Sequence, residues 1–523
     1  MLGKVIFDAM QQYAEQSALK IEDELYTYYD LERLSLSIAS ILVDCGIKNK
    51  NIGVLTQRNK SAYCGVLGIL FSANTYVPVN IKYPVDKIKK IITDAKIEVL
   101  VLTYREFELI GHHLKSIENV KTLLFPCESI NDIQGYDVFD NERIIRNHKL
   151  SEPIVSREND NAYIMFTSGT TGKPKGVMVS NLNVLSFLEN TCNTYNMKAG
   201  FRASQTFDLS FDLSVFDMFF TWINGGCLCV LDESEILCPD EYIKRERISV
   251  WFSVPTLASF MSQLGVLQPG VFDELKYSFF CGEPLTSDIA SKWKLAAPNS
   301  IVDNLYGPTE ATVFITKYTY DDSVSLSGNS HGFVPIGTPI GDEKVILLND
   351  EAKKISDIGT VGEVIVCGSQ VAKGYLNNIT KTHESFFDMT LNNTIESCYR
   401  TGDLAYFNEQ GVLEYVSRKD SQIKIAGRRI EIKDIELSLR SLGFDVIVVP
   451  CRNNSKLIEY LVAYSTRKIT NEELLKLRND SVGVIEKIFF PHFFVFIESI
   501  PTTASGKTDR KKLEILAAQR AAP

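Results

Sequence analysis

Apolar residues recur at helical spacing from Tyr29 to Val43 and again from Pro84 to Ala95. Short apolar runs such as Glu98-Val99-Leu100-Val101-Leu102 read instead as buried strands. Pro84 has no N–H to lose in the first turn of a helix, so Tyr83-Pro84-Val85 reads as a helix entry. Helical and strand patterns alternate through the first 150 or so residues, which predicts an α/β fold with a partly parallel sheet. The C-terminal part is patterned differently. Strand-like Val446-Ile447-Val448-Val449 and Phe493-Phe494-Val495-Phe496 alternate with helical Ile435 to Leu442 and Asn471 to Arg478, predicting a small α+β domain. Ser417-Arg418-Lys419-Asp420 interrupts two apolar segments and marks the boundary, giving a large domain over 1–417 and a small one over 418–523. No apolar run approaches the ~18 residues of a membrane span. No internal repeat or low-complexity tract appears.

Composition narrows the class. The chain has 523 residues, 45% of them hydrophobic and 23% charged, which excludes disorder as the main state. Lys and Arg number 55 against 65 Asp and Glu, and a net charge of −10 speaks against a nucleic-acid binder. Of 11 cysteines only Cys227-Leu228-Cys229 lie close together, so neither a zinc site nor a disulfide framework is expected, and reduced cysteines in the cytoplasm fit better. At the N-terminus Asp8 interrupts any signal-peptide core.

The strongest local signal begins with an apolar strand, Tyr163-Ile164-Met165-Phe166, that feeds a loop: Thr167, Ser168, Gly169, Thr170, Thr171, Gly172, Lys173, Pro174, Lys175, Gly176. Seven of these ten loop residues are Gly, Ser or Thr. Glycines allow close backbone approach, hydroxyls and N–H groups donate to anionic oxygens, and two lysines add charge. That is phosphate-binding chemistry. A Walker A loop is excluded by the short Gly169 to Gly172 spacing and by Pro174 after Lys173.

This loop resembles the phosphate loop of the adenylate-forming (acyl-activating) superfamily. Collinear segments extend the resemblance over nearly the whole chain: Asn304-Leu305-Tyr306-Gly307-Pro308-Thr309-Glu310, Gly362-Glu363-Val364-Ile365 with Gly374-Tyr375-Leu376, Tyr399-Arg400-Thr401-Gly402-Asp403, Arg418-Lys419-Asp420-Ser421-Gln422-Ile423-Lys424, and Ser505-Gly506-Lys507-Thr508-Asp509-Arg510. Within the superfamily the chain looks most like amino-acid adenylation domains of nonribosomal peptide synthetases, and among those like the D-alanine–D-alanyl carrier protein ligases. The resemblance implies a large N-terminal multi-sheet α/β domain with a small mobile C-terminal α+β domain. It implies a two-step ligase: a carboxylate attacks the α-phosphate of Mg-ATP to give an adenylate and pyrophosphate, then a thiol takes the acyl group.

Roles carry over residue by residue. Residues Thr167 to Lys173, with Gly307, would cradle the nucleotide. Tyr306 would stack on adenine and Asn304 bond its edge. Thr309 would donate to the α-phosphate, and Glu310 would hold Mg²⁺ as a hard oxygen ligand. Asp403 would accept from both ribose hydroxyls, with Arg418 in support. Lys507, catalytic in the first half-reaction, would neutralise charge on the reacting carboxylate and phosphate. Asp420 would be the hinge, and Lys424 would face the site in the thioester-forming pose. Ser417, Ala426 and Ile488-Phe489-Phe490-Pro491 depart from the family pattern.

Phe211-Asp212-Leu213-Ser214-Val215-Phe216-Asp217 matches the segment that opens the amino-acid pocket. Asp212 would pair the substrate α-ammonium, which a dry pocket cannot leave unpaired. The alternative is a helix cap, since Asp-x-Ser also reads as a helix start. Asp208 precedes it in a near-repeat, and Asp212 is chosen because Val215 to Phe219 then continues the family pattern. The other pocket positions are Leu213, Phe216, Phe252, Phe279, Cys281, Leu305, Val313 and Phe314. Four are Phe and none is charged, which points to a small apolar amino acid. Cys281 stands where D-alanine ligases also carry Cys, at a position tied to chirality. Alanine, as the D-enantiomer, comes first; glycine, L-alanine and serine follow, and a larger apolar amino acid is the further alternative.

No Gly-Gly-[Asp/His]-Ser carrier motif occurs, so the expectation is a stand-alone cytoplasmic ligase that loads a separate phosphopantetheinylated carrier protein; an excised synthetase module would read the same. An acyl-CoA ligase of the same fold and a non-catalytic nucleotide-binding module are the alternatives.

Overall fold

The structure, a computed structural model, describes residues 1–167, 174–232, 234–321, 332–419, 422–452, 458–502 and 508–521. The chain forms two compact units. The larger comprises Met1–Ile81, Lys89–Phe166 and Lys175–Lys419; the smaller comprises Lys82–Ile88, Thr167–Pro174 and Asp420–Pro523.

Local sequence sets the helix starts. Thr27 and Asp30 form a reciprocal capping box that opens the helix Tyr28–Asp44. Ser180 and Asn183 do the same for Asn181–Thr194. The helix Val85–Asp94 begins one residue after Pro84.

The described residues of the larger unit build three sheets. The first runs Asp137–Asp140, Thr122–Phe125, Val99–Val101, Asn51–Leu55, Thr75–Val79, Asn161–Thr167 and Lys175–Ser180, and its pairings up to Asn161–Thr167 are parallel. The second has parallel strands Cys227–Val230, Arg202–Gln205, Val250–Ser253, Tyr277–Phe280 and Ile301–Tyr306 at its centre. Several of these strands are buried along their whole length, as parallel strands covered on both faces must be. The third is antiparallel and includes Gly362–Cys367, the long strand Thr394–Phe407 and Leu413–Arg418. One continuous apolar core joins all three, containing Val54 and Tyr163, Phe252 and Phe279, and Val364 and Leu413.

The smaller unit has a hairpin, Gln422–Ile425 with Arg428–Glu431, and a sheet of Ile447–Arg452, Ile458–Ser465 and Phe493–Phe496. The helices Ile432–Ser441 and Asn471–Asp480 stand where the apolar spacing predicted them. Among the described residues no helix is long and apolar enough to cross a membrane.

One expectation is overturned. Cys367 and Cys398, 31 residues apart, form a disulfide. Strand register places them directly opposite each other, with Cα atoms 4.1 Å apart. No sequence spacing reveals such a pairing. The other cysteines stand outside any disulfide.

Candidate active site

Sheet register assembles one end of the site. Asp403 and Arg418 are register partners in the third sheet. Arg418 donates from Nη1 to Asp403 Oδ1 at 2.8 Å and from Nη2 to the Thr401 carbonyl at 3.1 Å. The Tyr306 hydroxyl donates to Asp403 Oδ2 at 2.6 Å. Thr401 Oγ1 accepts from the Asp403 N–H at 3.0 Å, and Gly402 between them takes φ +73°, a conformation natural to glycine. A carboxylate offers about four acceptor sites. Asp403 therefore keeps capacity for further O–H donors after these two bonds. Asn304 gives its amide N–H groups to the carbonyls of Val334 and Pro335, at 3.2 and 2.9 Å, which fixes the orientation of its amide oxygen.

Beyond Tyr306 the chain turns tightly. A Cβ on Gly307 would stand 2.5 Å from Phe314 Cα, so only glycine lets the two arms of this loop meet. Thr309, Glu310 and Ala311 form a single 3-10 turn. Glu310 is 1% exposed, and its Oε1 accepts from the Tyr375 hydroxyl at 2.8 Å. Tyr399 places its hydroxyl 3.3 Å from that of Tyr375. The Lys175 ammonium, at the exit of the Gly/Ser/Thr loop, lies 5.5 Å from the Tyr375 ring. Sequence reasoning quoted Tyr375 and Tyr399 inside their motifs without assigning them a task. Glu310, which Tyr375 meets directly and Tyr399 approaches only by way of Tyr375, lies far off in the chain.

Glu310 fits a Mg²⁺ ligand: it is a hard oxygen donor, buried, with one oxygen fixed by a phenol. Among the described residues no three His, Cys, Asp or Glu side chains converge to cage a metal. A Mg²⁺ held by one carboxylate and completed by substrate phosphates is the arrangement such a site allows.

The predicted pocket residues Phe216, Phe252, Phe279 and Phe314 are brought together. The Phe216 ring centroid lies 5.3 Å from Phe252, 5.5 Å from Phe279 and 5.3 Å from Phe314. Phe252 and Phe279 are register partners on neighbouring parallel strands, and Cys281 and Leu305 lie at or just past the C-terminal ends of their strands. Leu213, Cys281, Leu305 and Val313 belong to the same buried cluster.

Asp208 and Asp212 have different local tasks. Asp208 Oδ1 accepts from Ser210 N–H at 2.9 Å and from Ser210 Oγ at 2.6 Å, a local turn bond. Asp212 sits at the N-cap of the turn Leu213–Val215, yet its side chain accepts no capping bond there. It is 9% exposed. The phenols of Tyr76 and Tyr163 feel its charge: burial first, and then Asp212, pushes both well above the usual tyrosine range.

Lys424 lies on the hairpin strand Gln422–Ile425, opposite Arg429. Thr167 ends the strand Asn161–Thr167. Ser168, Gly169, Thr170, Thr171, Gly172, Lys173, Asp420 and Lys507 lie outside the described residues.

The model of the AMP-binding enzyme family matches residues 6–376. Bacitracin synthase 3 of Bacillus licheniformis is 31% identical over 507 residues, covering 95% of this chain and 7% of that protein. The D-alanine–D-alanyl carrier protein ligase of the same species is 29% identical over 529 residues, covering 97% of this chain and 99% of that one. Among solved structures, the Vibrio cholerae adenylation domain AlmE in complex with glycyl-adenosine-5'-phosphate matches with a TM-score of 0.85 at 27% identity, over 98% of this chain and 97% of that chain. The chain thus spans nearly all of the ligase and the adenylation domain, and a small part of the synthase.

Proposed function

The chain belongs to the AMP-binding enzyme family, ligases that activate a carboxylate with ATP, and from that premise we propose that its substrate is a small apolar amino acid, D- or L-alanine first, with glycine and serine next. The carrying observation is a buried carboxylate, Asp212, one helical turn before Phe216 in the chain, where Phe216 is ringed by further phenylalanines. Asp212 pairs the α-ammonium, and the bulky, uncharged rings favour a small apolar side chain. The relatives named for D-alanine and for a glycyl adenylate support this size class.

The nucleotide lies between Tyr306, Asn304 and Asp403. Tyr306 offers a ring face held in place by its bond to Asp403, Asp403 accepts from the ribose hydroxyls, and Arg418 holds the Asp403 carboxylate in orientation. Thr309 and residues Thr167 to Lys173 take the phosphates. Glu310 would hold Mg²⁺, which would screen the charge that builds as two anions meet. Lys507 enters with the small domain and neutralises the reacting carboxylate and α-phosphate. The small domain, 418–523, then turns about Asp420 and presents Lys424. The acceptor is the phosphopantetheine thiol of a carrier protein, and the need for ATP supports a cytoplasmic setting.

The test is ATP–pyrophosphate exchange against D-Ala, L-Ala, Gly, Ser, Leu and Phe, with acetate and a medium-chain fatty acid as controls. Exchange with one small amino acid, lost in Asp212→Ala, is the expected result. Exchange with the fatty acid alone would refute the ammonium role of Asp212.

A further inference from the structure

Val313 and Phe314 follow Thr312 on the loop that opens at Gly307. Thr312 and Val313 have φ of 53° and 72°. These are two consecutive β-branched residues in a region such side chains rarely enter. Backbone strain of this kind persists only where the surroundings over-determine it.

Gln370, 1% exposed, supplies the constraint. Its Nε2 donates to the Phe314 carbonyl at 2.9 Å, with longer contacts of 3.4 Å to the carbonyls of Ala311 and Thr312. Its own carbonyl accepts from Thr312 Oγ1 at 2.6 Å. Its Oε1 accepts from Asn190 Nδ2 at 3.0 Å, and its N–H donates to Glu343 Oε1 at 3.3 Å. The residues flanking it are pinned as well: Asn183 Nδ2 donates to the carbonyls of Ser369 and Val371 at 2.7 and 2.9 Å.

Asn183, Phe187 and Asn190 share one face of the helix Asn181–Thr194. The Phe187 ring lies 4.9 Å from Phe314 and 6.2 Å from Phe216. One helix face therefore braces both the Gln370 segment and the phenylalanine cluster.

We propose that Gln370 is a specificity-determining positioning residue. It clamps the backbone from Ala311 to Phe314 in its left-handed course, and so sets how far Val313 and Phe314 reach into the amino-acid pocket. Gln370 itself touches no substrate. The inference rests on the amino-acid-pocket reading given above. With the clamp gone, Thr312 and Val313 relax toward negative φ, Phe314 shifts, and the wall that limits side-chain size gives way.

The experiment compares the parent chain with Gln370→Met, which keeps side-chain length and removes the side-chain hydrogen bonds while leaving the main-chain ones, and with Asn190→Ala, which removes the bond to Oε1 and the packing on Gly341. For each, amino-acid-dependent ATP–pyrophosphate exchange is measured over the same panel, with separate KM values for amino acid and ATP and a melting temperature. A misplaced pocket wall costs affinity steeply. The expected result for Gln370→Met is an amino-acid KM raised about tenfold or more, an ATP KM close to the parent's, and a panel shifted toward Leu. Asn190→Ala moves the same way by less. An unchanged amino-acid KM and panel overturns the clamp, as does a parallel rise in both KM values with a fallen melting temperature, the mark of a merely structural residue. If Gln370→Met does not fold, an unchanged panel in Asn190→Ala overturns it. A parent silent toward every amino acid removes the pocket reading and the clamp together, whereas an active parent with unaltered variants removes only the clamp.

Discussion

Arg418 faces Asp403 across neighbouring antiparallel strands, its guanidinium 2.8 Å from the carboxylate, and both side chains are largely buried. Breaking such a pair strands a charge. Asp403→Asn keeps the shape but removes the negative charge that pairs with the Arg418 guanidinium and weakens the hold on Tyr306. The expected cost is on the order of 3 kcal/mol of stability, read by denaturant titration, together with an ATP KM raised at least about tenfold. An unchanged ATP KM in a folded variant would remove Asp403 from the nucleotide site.

In the proposed site Tyr375 acts through Glu310, to which its hydroxyl donates. Glu310→Gln should lower pyrophosphate exchange by roughly 10²–10³. Tyr375→Phe leaves the carboxylate but frees its direction, so its effect is smaller and falls on the Mg²⁺ concentration needed for half-maximal exchange. A Tyr375→Phe chain with the parent's Mg²⁺ dependence would refute the arrangement.

The two lysines should separate the half-reactions. Lys507→Ala is expected to lose adenylation by about 10²–10³ while sparing transfer from a preformed adenylate. Lys424→Ala should do the converse. Pyrophosphate exchange and carrier loading, measured in parallel, decide between this and a shared defect.

Glu343 carries a pH dependence. Burial raises its carboxyl from an ordinary 4.5 to about 7, the bonds from Ser369 and Gln370 oppose this in part, and the Glu396 carboxylate adds to it. The folded chain therefore holds this proton more tightly than the unfolded one. Stability from this group is fully present below about pH 4.5 and is lost as pH rises through about 7. The loss is about 3 kcal/mol at most. Glu343→Gln should match the parent near pH 5 and exceed it above about pH 8, as followed by melting temperature; parallel curves would exclude the mechanism.

Ala426 and Gly427 have φ of 48° and 75° and join the strands Gln422–Ile425 and Arg428–Glu431 as a two-residue turn. Such turns favour Asn-Gly, and alanine is strained there. Ala426→Asn should stabilise the hairpin by about 1 kcal/mol, measured by hydrogen exchange in the hairpin strands.

What the sequence by itself determined was whatever depends on near neighbours in the chain. The periodicity from Tyr29 to Val43 encodes a helix because one face must be buried, and Thr27 with Asp30 marks its start within four residues. The linear motifs likewise nominated Thr309, Glu310, Tyr306, Asp403 and Arg418 as candidates, since residue types that stand together in one stretch can be read there. Tertiary structure decided the pairings: Cys367 with Cys398, Arg418 with Asp403, Tyr375 with Glu310, and Gln370 with the loop from Ala311 to Phe314. It also gave Asp208 a local turn bond that Asp212 does not share. These contacts depend on strand order and register, which the packing of the whole core fixes and no local spacing encodes.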